Sequence, residues 1–358
     1  MRAVERILVV NPGSTSTKIA VYEGDRPVHV VNLRHSDAEL APFRGRPILD
    51  QQEFRAGAIA GALAQAGVDP RALTAAVGRG GLLPALASGT YRVNDAMLAL
   101  LRAARRGEHA SNLGAPLAQA VAAHAGVPAF VVDPVAVDEW EPVARLSGSA
   151  LFERVCLSHA LNSKAVAKRY ARECGRPYDA LGLVVAHLGS GISVSAHRGG
   201  RMVDVTNSRE EGAMSTERAG GVPVMELLAY ALEGGRTFKE IETALFREGG
   251  LHSYLGTKDL VEVETRIGAG DARAALVFDA LAYQVAKEIG AMATVLRGDV
   301  DAVLLTGGMA HSAKLVAQLK SAIDWIAPVS VYPGEDELQA LAEGALRVLR
   351  GEEEARSL

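Results

Sequence analysis

The stretch "ILVVNPGSTSTKIAVYEGDRPV" (residues 7–28) decides the fold. Gly13 and Lys18 bracket four residues, as the first Gly and the Lys of a phosphate-binding P-loop nearly do. A P-loop needs a second Gly before the Lys, a Ser or Thr after it, and a helix that begins there. Here Thr17 precedes the lysine, Ile19 follows it, and the next residues alternate as in a strand. We therefore expect a hairpin whose turn offers hydroxyl and backbone N–H groups to phosphate oxygens.

Residues 183–203, "LVVAHLGSGISVSAHRGGRMV", repeat this pattern. Asn11-Pro-Gly13-Ser14 aligns with His187-Leu-Gly189-Ser190, and the turn Glu23-Gly24 aligns with Gly199-Gly200. Each copy predicts a strand, a polar turn, a strand, a tight turn and a strand. Such a duplication predicts two similar lobes, whose hairpins can hold the phosphates of one nucleotide in a cleft between them. This is the two-lobed α/β architecture of the actin-like ATPase, or ribonuclease H-like, superfamily.

The bulk composition limits the functions of the chain. Its 358 residues suffice for two domains, and a net charge of −4 without a dense Lys/Arg run argues against nucleic-acid binding. Cys156 and Cys174 lack metal-ligand spacing, so we expect reduced thiols. The apolar run at residues 7–10 is too short for a secretory signal, and no stretch is typical of a membrane span. We therefore expect a cytoplasmic protein with no membrane partner.

Shorter patterns predict the elements around the hairpins. Helical spacing of apolar residues is found at three ranges: 54–66, 95–105 and 271–296. Strands are predicted at 127–133 and 302–308, and a final helix ends at Gly351. The expected domains are an N-terminal lobe of residues 1–150, completed by the C-terminal helix 338–358, and a nucleotide-binding lobe of residues 151–337.

An ordered set of motifs resembles the acetokinase family over nearly the whole chain. The motifs are "SHALNSKAVAKRYA" (158–171), "HLGSGISV" (187–194), "STERAGGVP" (215–223), "LTGGMAH" (305–311) and "YPGEDELQALAEGALRVL" (332–349). Four more are similar to the butyrate kinase subgroup: "VGRGGLL" (77–83), "GTYRVN" (89–94), "GEHASNLG" (107–114) and "VDPVAVDE" (132–139). The resemblance implies reversible, ATP-dependent phosphorylation of a short-chain carboxylate to an acyl phosphate and ADP.

The chemistry of that reaction fits the residues that the resemblance brings. A carboxylic acid with a pKa of about 4–5 is already ionised at neutral pH, so no strong base is required. The difficulty is to bring two anions together, which calls for cations and in-line positioning. Nucleotide phosphates also call for Mg²⁺, which prefers hard oxygen ligands.

The resemblance assigns roles to particular residues. The catalytic set is Arg79, Arg218, His159 and Asp133. The expected nucleotide contacts are Asn11, Ser14, Ser16, Lys18, His187, Gly189, Ser190, Gly191, Asp259, Gly307, Gly308, Met309 and His311. The carboxylate is expected to contact Arg79, Gly80, Gly81, His109 and Asn112. Asn11 and Glu337 are the expected metal residues, although Glu335 and Asp336 are close enough in sequence to take the place of Glu337.

Other functions are compatible with parts of this pattern. An acetate or propionate kinase would use the same chemistry, but Arg79 is followed at once by Gly80-Gly81, which favours a roomier acyl pocket. A sugar kinase would need a carboxylate base, for which Asp133 could serve. A nucleotide-driven switch would need a further binding surface. The family also implies a homodimer or a larger homo-oligomer.

Overall fold

The computed structural model describes residues 4–358, which form an α/β protein with two mixed sheets. The described residues divide into two compact units, residues 4–138 with Asp336–Leu358, and Glu139–Glu335. The first unit therefore includes the last helix of the chain.

The helices and strands follow the sequence patterns closely. The strands are β1 (Arg6–Pro12), β2 (Ser16–Glu23), β3 (Arg26–Arg34), β4 (Ala75–Arg79), β5 (Thr90–Arg92), β6 (Ala129–Val132), β7 (Leu183–Leu188), β8 (Ile192–Arg198), β9 (Arg201–Val205), β10 (Ala302–Gly307) and β11 (Val329–Pro333). The α-helices are α1 (Asp37–Leu40), α2 (Gln52–Gln65), α3 (Asp95–Ala103), α4 (Gly114–Ala125), α5 (Ala160–Glu173), α6 (Val224–Glu233), α7 (Phe238–Phe246), α8 (Gly250–Leu255), α9 (Leu260–Gly268), α10 (Ala272–Val295), α11 (Ala313–Ile323) and α12 (Glu337–Arg350). The three helices and two strands predicted by range correspond to α2, α3, α10, β6 and β10, with ends that differ by two residues or fewer.

The sheet of the first unit has the strand order β3-β2-β1-β4-β6-β5. The predicted hairpin is confirmed, because β1 and β2 pair antiparallel with Asn11 opposite Lys18. β2 continues into β3 through the predicted tight turn, in which Gly24 has a φ of 55°. β4 pairs parallel with both β1 and β6.

The sheet of the second unit repeats this topology, with the order β11-β10-β7-β8-β9. β7, β8 and β9 form the second antiparallel meander, and β10 pairs parallel with both β7 and β11. The strands β3-β2-β1-β4-β6 thus correspond to β9-β8-β7-β10-β11, and the duplication predicted from the two quoted stretches is confirmed.

The parallel strands of each sheet end at one edge. In the first unit Asn11 lies near the end of β1, Arg79 ends β4, and Asp133 follows β6. In the second unit His187 lies near the end of β7, Gly307 ends β10, and Glu335 follows β11. Ligands of open α/β sheets bind outside the carboxyl ends of the strands, so each unit presents its candidate residues where such a site is expected.

Helices cover the sheets through apolar stripes. In the second unit α10 buries Phe278, Leu281, Val285 and Ile289, spaced by threes and fours, in one cluster with Val184 of β7. Asp271 caps this helix as predicted, since its side chain accepts a hydrogen bond from the Ala274 N–H. No helix within residues 4–358 is long and apolar enough to cross a membrane.

Candidate active site

The first hairpin turn presents polar groups to solvent. Ser14 and Lys18 are exposed and Ser16 is half-buried, and the Gly13 N–H closes the turn by donating to the Ser16 carbonyl at 2.8 Å. The N–H groups of Ser14 and Thr15 donate to no group within the described part of the chain. The turn therefore has the free donors that an anion site needs, although its role stays a prediction.

A buried arginine that the sequence reasoning missed supports this turn. Arg55 of α2 is fully buried, and its Nη1 donates to the carbonyls of Gly13 and Ser16, both at 2.8 Å. Its Nη2 donates to the Ser14 carbonyl at 2.9 Å. A signal was present in the sequence, because Arg55 shares the buried stripe of α2 with Ile59 and Leu63. A charged residue on the apolar face of a helix calls for a specific partner.

Three predicted residues of the first unit meet at the carboxyl edge of its sheet. Glu337 Oε2, at the start of α12, accepts hydrogen bonds from Asn11 Nδ2 at 2.6 Å and from Arg79 Nη1 at 2.9 Å. The side chains of Arg79 and Glu337 are 34% and 17% exposed, so the ion pair is partly shielded from water. The Arg79 guanidinium is thereby held in place while some of its N–H donors remain for an anionic substrate.

Asp133 is buried, and its backbone has a conformation that is unusual for a residue with a side chain. Its φ is 38°, and its Oδ1 accepts from Ser88 Oγ at 2.5 Å and from the Gly89 N–H at 2.8 Å. Such left-handed residues cost free energy and are concentrated at functional sites. The structure thus fixes the carboxylate of Asp133 at the end of β6, and its catalytic role stays a prediction.

The glycines after Arg79 are in contact with other parts of the first unit. A Cβ at Gly80 would lie 2.2 Å from Pro134 Cβ, and one at Gly81 would lie 2.5 Å from Asn112 Oδ1. At both positions the Cβ direction therefore faces protein atoms, and the expectation that these glycines open an acyl pocket stays a prediction. Their physical role is to let the loop after β4 approach its neighbours closely.

The other two residues expected at the carboxylate have local structural roles. Asn112 is buried, accepts from the Leu82 N–H at 2.8 Å and donates to the Gly107 carbonyl at 3.1 Å. His109 is exposed and contacts Ser111 Oγ through Nδ1 at 2.8 Å. Asn112 therefore fixes the loop that follows Arg79.

In the second unit the two predicted histidines lie face to face. The rings of His159 and His187 stack with centroids 3.8 Å apart and an interplanar angle of 9°. His159 precedes α5 and contacts Ser193 Oγ through Nδ1 at 2.9 Å. His187 is buried at the end of β7. The structure thus brings these two histidines together, and their roles at the phosphoryl group stay a prediction.

The neighbours of His187 determine that its Nδ1 carries a hydrogen. Asn162 Nδ2 donates to the Glu335 carbonyl at 2.9 Å, which leaves Asn162 Oδ1 to face His187 Nδ1 at 2.8 Å. An amide oxygen only accepts, so Nδ1 carries the hydrogen. The buried Nε2 has no hydrogen-bond partner within residues 4–358 and lies 3.4 Å from Glu335 Oε1. It can donate to a phosphoryl oxygen only as the doubly protonated ring.

Arg218 packs against the second hairpin turn. A Cβ at Gly191 would lie 2.5 Å from Arg218 Nη1, so this glycine gives the guanidinium its place. Arg218 Nη1 donates to the Ser208 carbonyl at 2.8 Å, and the Ser215 hydroxyl donates to the Ser190 carbonyl at 2.5 Å. Burial lowers the pKa of Arg218, an effect that Glu217 opposes and Arg209 reinforces. Within the described residues Arg218 forms no ion pair, so its charge has no carboxylate partner there.

The remaining turn residues and the predicted adenosine-side residues differ in exposure. Gly189 is buried beside His187 Nε2, whereas Ser190 is exposed. Gly307 has a φ of 91° and approaches the Leu188 carbonyl, while Gly308 is exposed with open space where a Cβ would be. His311 is exposed, but the Met309 side chain belongs to the apolar core. Asp259 is exposed and caps α9 by accepting from the Val261 N–H at 2.9 Å, which accounts for its position without a ligand.

The residues expected at Mg²⁺ form a sparse set of ligands. Within residues 4–358 no group of three or more His, Cys, Asp or Glu side chains is arranged to hold a metal ion. Asn11 and Glu337 lie side by side and offer one amide and one carboxylate. That set fits Mg²⁺ carried by nucleotide phosphates, since such an ion takes only one or two carboxylates from the protein.

Comparisons with known proteins agree with the fold and with the motifs. The sequence model of the acetokinase family matches residues 154–328. An acetate kinase from Porphyromonas gingivalis superposes with a TM-score of 0.79 and 18% identity, covering 96% of this chain and 100% of that one. A propionate kinase from Francisella tularensis subsp. tularensis SCHU S4 superposes with a TM-score of 0.74 and 16% identity, covering 95% of this chain and 98% of that one. An acetate kinase from Entamoeba histolytica superposes with a TM-score of 0.76 and 12% identity, covering 97% of this chain and 100% of that one.

At these identities the solved structures show the fold, and they confirm the predicted α/β class with the duplicated sheets of actin-like ATPases. The family match adds the sequence pattern of residues 154–328. The chain is thus similar to the acetokinase family in the sequence of residues 154–328 and similar to acetate and propionate kinases in fold.

Proposed function

We propose that the protein transfers the γ-phosphoryl group of ATP to a short-chain carboxylate, butyrate or a branched analogue, to give an acyl phosphate and ADP. The observation that carries the proposal is the cluster of Arg79, Asn11 and Glu337. These three residues are far apart in sequence, yet their side chains meet at one edge of the sheet. The family resemblance independently assigns the same three residues to the substrate and the metal.

The chemistry of the two units suits an anionic acceptor. A carboxylate oxygen attacks the γ-phosphorus, the bond to the bridging oxygen breaks, and ADP leaves with the electron pair. Since the acceptor is already ionised, the transfer depends on charge neutralisation and alignment. In this proposal Arg79 binds the carboxylate, and Arg218 adds a guanidinium that forms no ion pair among the described residues.

The remaining residues have supporting roles in this proposal. Ser14, Ser16 and Lys18 of the first turn and Ser190 of the second bind phosphate oxygens. His159 and His187 donate to the phosphoryl group, and Asp133 provides a fixed carboxylate. Mg²⁺, when held by Asn11 and Glu337, supplies charge neutralisation for the nucleotide phosphates.

The length of the acyl chain is the open part of the proposal. The preference for butyrate is supported by the four motifs between residues 77 and 139, whereas the contacts of Gly80 and Gly81 with protein atoms lend the pocket argument no support. Acetate or propionate is the second candidate, because the solved relatives named above are acetate and propionate kinases. One methylene group changes binding by only about 1–3 kcal/mol, so several acids of neighbouring length should react.

The substrate test is a steady-state measurement of ADP formation with ATP and Mg²⁺. The acids are acetate, propionate, butyrate, isobutyrate and valerate, each against a blank without acid. We expect the highest kcat/KM with butyrate or isobutyrate. A maximum at acetate would replace the first candidate with the second, and ADP formation independent of any acid would remove the proposal.

We further propose that the protein forms a homodimer or a larger homo-oligomer through α6 and α7. Neither helix contains a buried residue, and Val224, Met225, Leu232 and Phe238 are each about 70% exposed. Burial of such an apolar surface by a second copy would remove it from water. Light scattering of the wild type and of Leu232→Asp tests this, and a monomeric wild type would contradict it.

A further inference from the structure

The guanidinium of Arg55 makes an unusually large set of hydrogen bonds for a fully buried charge. Nε and Nη2 donate to Gln51 Oε1 at 3.0 and 2.8 Å. Nη1 donates to the carbonyls of Gly13 and Ser16 and to Thr17 Oγ1, and Nη2 also donates to the Ser14 carbonyl. All of these acceptors are neutral, and within residues 4–358 Arg55 forms no ion pair.

These bonds determine which way the hairpin turn faces. Arg55 binds the carbonyls of Gly13, Ser14 and Ser16, and the His35 N–H binds the remaining one, that of Thr15, at 2.9 Å. Every carbonyl of residues 13–16 is therefore satisfied from inside the unit. A carbonyl without a hydrogen bond on the outer side of the turn would repel a phosphate, and the bonds from Arg55 and the His35 N–H prevent this.

The donors of the same turn are left for a ligand. The N–H groups of Ser14 and Thr15 have no partner in the described part of the chain, and both residues are exposed. Successive free N–H groups form a concave anion site of the kind found in phosphate-binding loops. The positive charge of Arg55 lies on the inner side of this turn, where the guanidinium donates directly to the carbonyls of Gly13 and Ser14.

We infer that Arg55 is a positioning residue for phosphate binding: its buried guanidinium holds the turn of residues 13–16 with the carbonyls inward and the N–H groups outward. This inference rests on the proposed function for the identity of the anion, a nucleoside polyphosphate. Burial lowers the pKa of Arg55 to about 10, so the group stays charged at neutral pH. An anion on the outer face of the turn would then partly compensate a charge that has no carboxylate partner in its own unit.

The second turn provides a comparison within the same chain. There the Ser190 carbonyl is held by the neutral Ser215 hydroxyl, and the Gly191 carbonyl accepts from the Gly189 N–H at 3.2 Å. Both turns therefore have carbonyls bound from inside, but a charged side chain makes those bonds in the first turn.

The test is calorimetric binding of ADP to the wild type, Arg55→Met and the matched control Ile59→Ala. Ile59 lies one helical turn further along the same buried stripe of α2 and is equally buried, so its truncation loosens the helix without touching the turn. We expect Arg55→Met to weaken ADP binding about 10- to 100-fold relative to Ile59→Ala, the weight of one charged hydrogen bond. ADP affinities of the two variants within about twofold of each other would overturn the inference.

A second variant covers the case in which Arg55→Met does not fold. Arg55→Lys keeps the charge but replaces the planar fork by a single ammonium, so we expect a loss of about 3- to 10-fold in ADP affinity. Wild-type affinity in Arg55→Lys would overturn the inference. In active variants KM for ATP should rise while KM for the carboxylate stays unchanged.

The two proposals can fail separately. If the wild type binds ADP, Arg55 variants weaken that binding, and no acid is phosphorylated, then the positioning role stands and the proposed reaction falls. If the wild type phosphorylates a carboxylate but Arg55→Met binds ADP as Ile59→Ala does, the reaction stands and the positioning role falls. A wild type that does not bind ADP would overturn both.

Discussion

Replacing Gly80 with alanine tests what the glycines after Arg79 contribute. A Cβ at Gly80 would lie 2.2 Å from Pro134 Cβ and 2.8 Å from Pro134 Cα, whereas ordinary contacts begin near 3.4 Å. The neighbours must therefore separate by about 1 Å to relieve the contact. Pro134 directly follows the anchored Asp133, so we expect the end of β4, with Arg79, to move.

The size of the effect follows from this displacement. Overpacking of this kind costs about 1–3 kcal/mol of unfolding free energy. A displacement of about 1 Å in a catalytic group costs roughly 100-fold in rate. Because Arg79 would bind the carboxylate group that all substrates share, the loss should be the same for each acid. We expect kcat/KM to fall about 100-fold with both acetate and butyrate, and their ratio to change less than about twofold.

The assay is ADP formation with each acid, together with urea unfolding of the same samples. Gly61→Ala in α2 is the control, because its Cβ would meet nothing within 4 Å. That control should keep its activity and gain up to about 1 kcal/mol of unfolding free energy. If Gly80→Ala loses butyrate activity but keeps acetate activity, the glycines do open an acyl pocket and the reasoning from Pro134 is refuted.

Three further predictions concern charge and protonation. Arg218→Lys keeps the charge but loses the planar guanidinium that packs against Gly191, so kcat should fall by about 10³–10⁵-fold with an unchanged circular dichroism spectrum. A loss of kcat below about tenfold would show that Arg218 does not act on the transferring phosphoryl group. Glu337→Gln removes the charge bound to Arg79 and Asn11, and we expect half-saturation by Mg²⁺ to need about tenfold more metal. An unchanged Mg²⁺ titration would leave Glu337 as a hydrogen-bond partner of Arg79 and Asn11 with no role at the metal. Burial, aided by the charge of Lys164, holds the pKa of His197 well below its usual value. Below about pH 6.5 the unfolded chain therefore binds a proton that the native His197 ring does not bind. The unfolding free energy should therefore fall as the pH drops, by up to about 1.4 kcal/mol per unit, and His197→Gln should remove that part of the slope in urea unfolding between pH 7.5 and 5.5.

The duplicated sheets could be predicted because their signals are local. Strand alternation and the tight turns at Gly24 and Gly199-Gly200 lie within two short stretches of sequence. The helical stripe of residues 271–296 was equally visible, since its apolar spacing and its cap at Asp271 are also local. Local patterns of this kind predict the individual strands and helices. The duplicated stretch predicts that the strands of the two sheets pair in the same order.

The contacts within the candidate site depend on parts of the chain that lie far apart. Asn162 connects His187 to the Glu335 carbonyl, and nothing in "SHALNSK" marks it for that position. Arg55 contacts four residues that precede it by about forty positions. The close contacts of Gly80 and Gly81 have the same origin, because only the structure shows that Pro134 and Asn112 face these glycines.

The most direct test of the account is to trap the product. The protein is incubated with ATP, Mg²⁺ and butyrate in the presence of hydroxylamine, which converts an acyl phosphate to a hydroxamate. We expect a hydroxamate that depends on both ATP and the acid, and that is lost in Arg79→Lys, which keeps the charge but not the planar guanidinium. Consumption of ATP without hydroxamate from any short-chain acid would contradict the claim that this protein is a carboxylate kinase.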